Sequence, residues 1–133
     1  MEKTISSDMT SEYEPDLPWN RLIQNPKNPE ANQAGSERER PIAERLRVVI
    51  SWPTIEESSR LSESGSTSAI SLAYAKHCIA DIINPQVAGI SARNGKELMA
   101  VKAKGKRKAW QLAVNVGAYI FTQSFLSEDE EKN

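Results

Sequence analysis

A mainly α fold is what this sequence predicts, a small domain of about four to five helices behind a disordered N-terminal arm, and three observations predict it. Thr54-Ile55-Glu56-Glu57 and the pair Asn94 and Glu97 are helix-start signatures, in which the cap side chain accepts from the amide three residues on and the acid reaches back. Leu72, Ala75, Ile79, Ile82 and Ile83 recur at helical spacing. Downstream of residue 52 no stretch alternates apolar and polar residues convincingly, so a strand would find no partner. The alternative is an α+β fold with a strand near 45–52.

Taken in order, residues 1–40 form the arm. Pro15, Pro18, Pro26 and Pro29 lie there among many Ser, Asn and Glu residues, and large apolar side chains are too sparse to offset the entropy of ordering the backbone. One apolar patch interrupts it. If a helical turn begins near Asp16 or Pro18, Trp19, Leu22 and Ile23 share one face, either as a motif for a partner protein or tucked onto this chain's own core.

Residues 41–126 form the helical domain. In PIAERLRVVISWP, Ile42, Leu46, Val49 and Ile50 fit a helix face, whereas Leu46, Val48, Ile50 and Trp52 fit the inward face of a strand. The lack of a partner favours the helix, and the β-branched run at 48–50 favours the strand. The Thr54 box opens a short helix to about Leu61. SESGSTS is a loop that ends in Ser66 or Thr67 as the next cap. The helix that follows closes at Asn84-Pro85. Another opens at Asn94, Gly105 breaks or kinks the chain, and a last helix runs from about Arg107 to Leu126. Residues 127–133 are an acidic tail, where acids at a helix C-terminus oppose the dipole and favour fraying.

Charge is segregated beneath a formal net charge of −1. Residues 1–40 carry five bases and eight acids, residues 94–113 six bases and one acid, and residues 114–133 one base and four acids. Attraction to an anion follows the local field, so the basic segment is more telling than the total. Lys102, Lys104, Lys106, Arg107 and Lys108 lie within seven residues, with Trp110 two positions after the last. Such a cluster suits phosphate oxygens, with Trp110 stacking on a base. The leading expectation is therefore a non-enzymatic nucleic-acid-associated or assembly protein. The alternative is a protein–protein adaptor or regulatory accessory protein, in which the basic cluster is a targeting signal or a solvated turn.

Ala109, Ala113 and Gly117, in phase with Phe121, allow close approach of another helix, from the same chain or from a second copy in a homodimer. His77, Cys78 and Asp81 do not assemble a nucleophile with its base. On a helix the adjacent His77 and Cys78 diverge by roughly 100°, whereas His77 and Asp81 can pair. One histidine and one cysteine do not complete a zinc set, so no catalytic residue, metal or cofactor is expected. The longest nearly unbroken apolar run, Leu112 to Phe121, contains Asn115 and is about half a membrane crossing. With no secretory signal in the first residues and a single cysteine, an intracellular protein of cytoplasm or nucleus is expected.

Overall fold

The computed structural model describes residues 10–24, 37–63, 65–102 and 105–132, with side chains on the last helix described as far as Ser124. Strand β1 is Thr10–Tyr13, followed by the helical turn α1, Pro18–Arg21, and β2, Leu22–Gln24. Next come β3, Glu37–Glu39, a 3-10 turn at Ile42–Glu44, and β4, Arg47–Ser51. Helices α2, Ile55–Leu61, and α3, Thr67–Cys78, lead into β5, Ile79–Ile83. A 3-10 turn at Pro85–Ala88, helix α4 at Gly95–Met99 and helix α5 at Lys106–Lys132 complete the chain.

This is an α+β fold, which corrects the mainly α expectation. A three-stranded antiparallel sheet has the order β1-β4-β5, and β2 pairs with β3 in a separate two-stranded ribbon. Within 45–52 the chain forms a strand, β4 at Arg47–Ser51, rather than a helix. Val48 and Ile50 are fully buried, while Arg47 and Val49 on the other face are half-buried. The β-branched run therefore follows its intrinsic preference once partners exist on both sides.

A second correction concerns residues 79–83. The helix of the apolar stripe ends at Cys78, and the next five residues are β5. Val49 pairs with Asp81 but Ile50 pairs with Ile79, leaving Ala80 as the extra residue of a β-bulge. The bulge turns both Ile79 and Ile82 inward while Ala80 and Asp81 face out. Asn84, in the left-handed conformation at φ 58°, ends the strand and donates through Nδ2 to the carbonyls of Ala43 (3.1 Å) and Arg45 (2.9 Å).

The core lies between the sheet and the pair α3 and α5. Leu46, Val48 and Ile50 from the sheet meet Tyr74, Ala75 and Cys78 of α3 and Leu112, Val116 and Ile120 of α5. Local caps set the helices as the sequence indicates. Thr54 Oγ1 accepts from the Glu57 amide at 3.1 Å, and Glu57 Oε1 accepts from the Thr54 amide at 2.8 Å. Ser66 Oγ caps α3 by accepting from the Ala69 amide and Asn94 Oδ1 caps α4 by accepting from the Glu97 amide, while Glu97 Oε1 reaches back to the Arg93 amide at 2.9 Å.

Part of the segment assigned to the arm is built into this fold. β1 is hydrogen-bonded to β4, and Asn20 is completely buried. Asn20 Oδ1 accepts from the Leu46 amide at 2.7 Å, and its Nδ2 donates to the carbonyls of Leu46 (3.0 Å) and Pro15 (3.3 Å). Arg45, nearly buried, bonds Glu14 at 3.2 Å and Glu39 at 3.3 Å. Polar groups thus add to the closure that the few apolar residues of this segment, Tyr13, Leu17 and Trp19, supply by packing against the core. Pro26 and Pro29 lie outside the described residues.

Candidate functional site

Helix α5 turns one face to the core and the other to an open surface. Ala109, Leu112, Ala113 and Val116 are buried, whereas Lys106, Arg107, Lys108 and Trp110 are exposed, Trp110 by 53%. Of the basic cluster, Lys102 is exposed after α4, Lys106, Arg107 and Lys108 fill the first turn of α5, and Lys104 lies outside the described residues. On consecutive helical positions the three α5 bases fan outward around Trp110 rather than forming one stripe. Gly105 sets the start of the helix: it is buried, and a Cβ there would crowd Ile90 at 2.5 Å, leaving the chain no room for a larger residue.

Trp110 is a ridge between two apolar hollows. On one side a groove of about 790 Å³ is walled by Leu17, Leu22, Ile23, Val87 and Val114. On the other a smaller hollow of about 200 Å³ includes Leu72, Met99 and Val101. The partner-motif residues Trp19, Leu22 and Ile23 do not share a helix face, because the helical turn stops at Arg21 and Leu22 and Ile23 belong to β2. All three instead line the larger groove. Trp19 is half-buried, donates through Nε1 to Gln111 Oε1 at 3.0 Å, and carries Lys108 Nζ 5.5 Å above its ring. It therefore rests on its own chain, with one cation of the cluster committed to it.

Arg40 holds the far rim. Its Nε and Nη2 donate to the carbonyls of Asn20 (3.2 Å) and Trp19 (3.3 Å). Arg40, Leu17, Val87 and Val114 carry no motif that marks them in the sequence. The single available signal was the spacing of Trp110 and Val114, which puts a second apolar pair on α5 outside its buried stripe.

The small-residue stripe has a different place. A Cβ on Gly117 would collide with the backbone of Ser71 on α3, Ala109 and Ala113 are buried in the core, and Phe121 meets the Tyr74 ring edge-on at 5.5 Å. The close helix approach read from these residues is thus made within the chain, by α3. The pair read as His77 with Asp81 is also different: Asp81 is in β5, and His77 Nε2 lies 3.1 Å from Glu57 Oε2. Cys78 is buried, and burial first, then the nearby Glu57 charge, pushes its thiol up to about 12. Among the described residues no group of three or more His, Cys, Asp or Glu is placed to hold a metal ion, and no helix is long and apolar enough to cross a membrane. No protein-family model, curated protein or solved structure matches this chain.

Proposed function

We propose that this protein is a recognition module, an adaptor that holds an acidic, apolar-anchored segment of another protein in the groove beside Trp110. The observation that carries this reading is the exposed Trp110 ring standing between two apolar hollows, with Arg40 and Lys108 lining the larger and Lys106 the smaller. Aromatic and arginine side chains around a desolvated pocket are the residues that dominate protein interfaces. Aliphatic walls on both sides of the ring suit the side chains of an amphipathic helix, laid in at i, i+3, i+4 spacing. The surrounding cations suit carboxylates and give the encounter an ionic-strength dependence.

Nucleic-acid association is the second reading, favoured by one observation: the Trp110 ring is accessible beside Lys106 and Arg107. A calorimetric titration separates the two. A synthetic acidic amphipathic helix, its sequence-scrambled control, and single-stranded RNA and DNA are each titrated into the full chain at two salt concentrations. The adaptor reading expects the amphipathic peptide to bind, the scrambled one to bind at least tenfold more weakly, and Trp110→Ala to abolish the difference. Tight oligonucleotide binding with a steep salt slope, and no preference between peptides, overturns it in favour of the phosphate-binding reading.

A further inference from the structure

We propose that Tyr13 and Tyr119 form a site of oxidative modification, at which loss of one electron from each ring joins the two by a carbon–carbon bond into an intramolecular dityrosine. Neither ring lines the Trp110 groove, so the site does not depend on the recognition reading. Three observations converge on the pair.

The first is contact. The ring centroids are 3.8 Å apart and the planes differ by 5°. Aromatic pairs ordinarily keep their centroids about 4.5–7 Å apart, so these rings are held unusually close, carbon against carbon at van der Waals distance. The fold imposes this from both sides. Tyr13 is placed opposite Val48 by the pairing of β1 with β4, and its hydroxyl donates to Asn115 Oδ1 at 3.3 Å. Asn115 and Tyr119 are one turn apart on α5, so a single helix face anchors the hydroxyl and receives the ring.

The second is access. The chain has three tyrosines. Tyr13 and Tyr119 are half-buried and within reach of a small oxidant, whereas Tyr74 is 1% exposed and donates to the Ser58 carbonyl at 3.1 Å. The two accessible tyrosines are therefore each other's neighbour. The third is a point of entry. Trp52, also half-buried, lies tilted against Tyr119 with centroids 6.0 Å apart, so a radical formed on its indole is in contact with the pair.

Each phenol gives one electron to a one-electron oxidant, of the class supplied by haem peroxidases or photo-oxidised metal complexes, and one proton to solvent. The phenoxyl radicals share their spin with the carbons ortho to oxygen, and a bond forms between one such carbon of each ring. The hydrogen on each joined carbon then leaves as a proton while the oxygen takes one up, which restores two phenols. The net change is the loss of two hydrogen atoms. The bond links positions 106 apart, so it restrains the unfolded chain as a disulfide closing a large loop does, and it ties β1 to α5.

Oxidation of the dilute full chain by a photo-oxidised ruthenium bipyridyl complex with persulfate tests this. The native protein is expected to gain dityrosine fluorescence and to stay monomeric on a denaturing gel. Its digest should hold one linked pair of peptides, containing residues 13 and 119 and lighter by two hydrogens, and the linked chain should melt at a higher temperature than the untreated one. Tyr119→Phe keeps a ring for the stack, and Tyr13→Phe loses only the Asn115 bond. With folding confirmed by circular dichroism, each should lose about tenfold or more of the fluorescence, because coupling then needs a second molecule. In urea the same oxidant should spread links over all three tyrosines. The proposal is overturned by native protein that forms no dityrosine, that couples mainly between molecules or to Tyr74, or that favours the 13–119 link no more than in urea. A linked chain that melts no higher than the free one overturns it as well.

Discussion

Asn20 replaces a stretch of apolar packing with three hydrogen bonds, and the consequence is measurable. Asn20→Ala leaves the buried Leu46 amide and carbonyl without their side-chain partners, so we expect a loss of about 1–3 kcal/mol in a denaturant melt. Gln123→Ala, at an exposed position on α5, should change stability by less than about 0.5 kcal/mol. Equal effects would mean that Asn20 does not tie residues 15–20 to the residues that enter β4. Cys78 offers a second test. A buried thiol held at about 12 has almost no thiolate at pH 8, so labelling by an aromatic disulfide should be slow in native buffer and should accelerate with the unfolding transition. Stoichiometric labelling within seconds in native buffer would contradict this placement.

At the level of elements, the capping box of α2 extends across to α3. The Glu57 carboxyl lies below its ordinary value of 4.5, first because it accepts from the Thr54 amide and then through His77. A depressed acid contributes stability that is present above pH 4.5 and is lost as pH falls through the lower folded value. Glu57→Gln should therefore cost stability at pH 6 and flatten the decline below pH 4.5, read from thermal melts at several pH values. An acid limb as steep in the variant as in the wild type would show that Glu57 does not contribute to it. Ile79 is 3% exposed, so Ile79→Ala should cost about 2–5 kcal/mol, whereas Lys76→Ala on the exposed face of α3 should cost little.

These same elements explain what was legible in the sequence. The caps at Thr54, Ser66 and Asn94 rest on a side chain reaching an amide three residues away, so a short window contains the whole interaction. Ile79 and Ile82 misled because the bulge at Ala80 spaces two inward residues three apart, which is also the spacing of a helix face. β1 was hidden for the opposite reason. TSEY is exposed along most of its length, and it pairs with β4 through the main chain, so no apolar alternation marks it as a strand. In the candidate site, the α5 cations and Trp110 were visible because they are neighbours in sequence. The opposite wall, from Leu17 to Arg40 and Val87, exists only after residues from distant segments are folded together.

Across the whole molecule, α5 is the meeting place of both ends of the chain. Tyr13 stacks on Tyr119 with ring centroids 3.8 Å apart and donates to Asn115 Oδ1 at 3.3 Å, and Trp19 bonds Gln111. These last two bonds join residues separated by 102 and 92 positions. On a translating ribosome the segment around Tyr13 and Trp19 is made before α5, and while β4 can pair with it earlier, its ring contacts with Tyr119 and Gln111 have nothing to close upon until that helix has emerged. The full ordering of this segment belongs to the end of folding, since contacts between distant positions are reached after large loops have closed. Pulse-labelled amide exchange during refolding should find the β1 amides that bond β4 protected in the slowest phase, later than the amides of α3. Until that phase is over, the edge of β4 that β1 will cover is an open row of amides and carbonyls, and crowded nascent chains could pair there with one another.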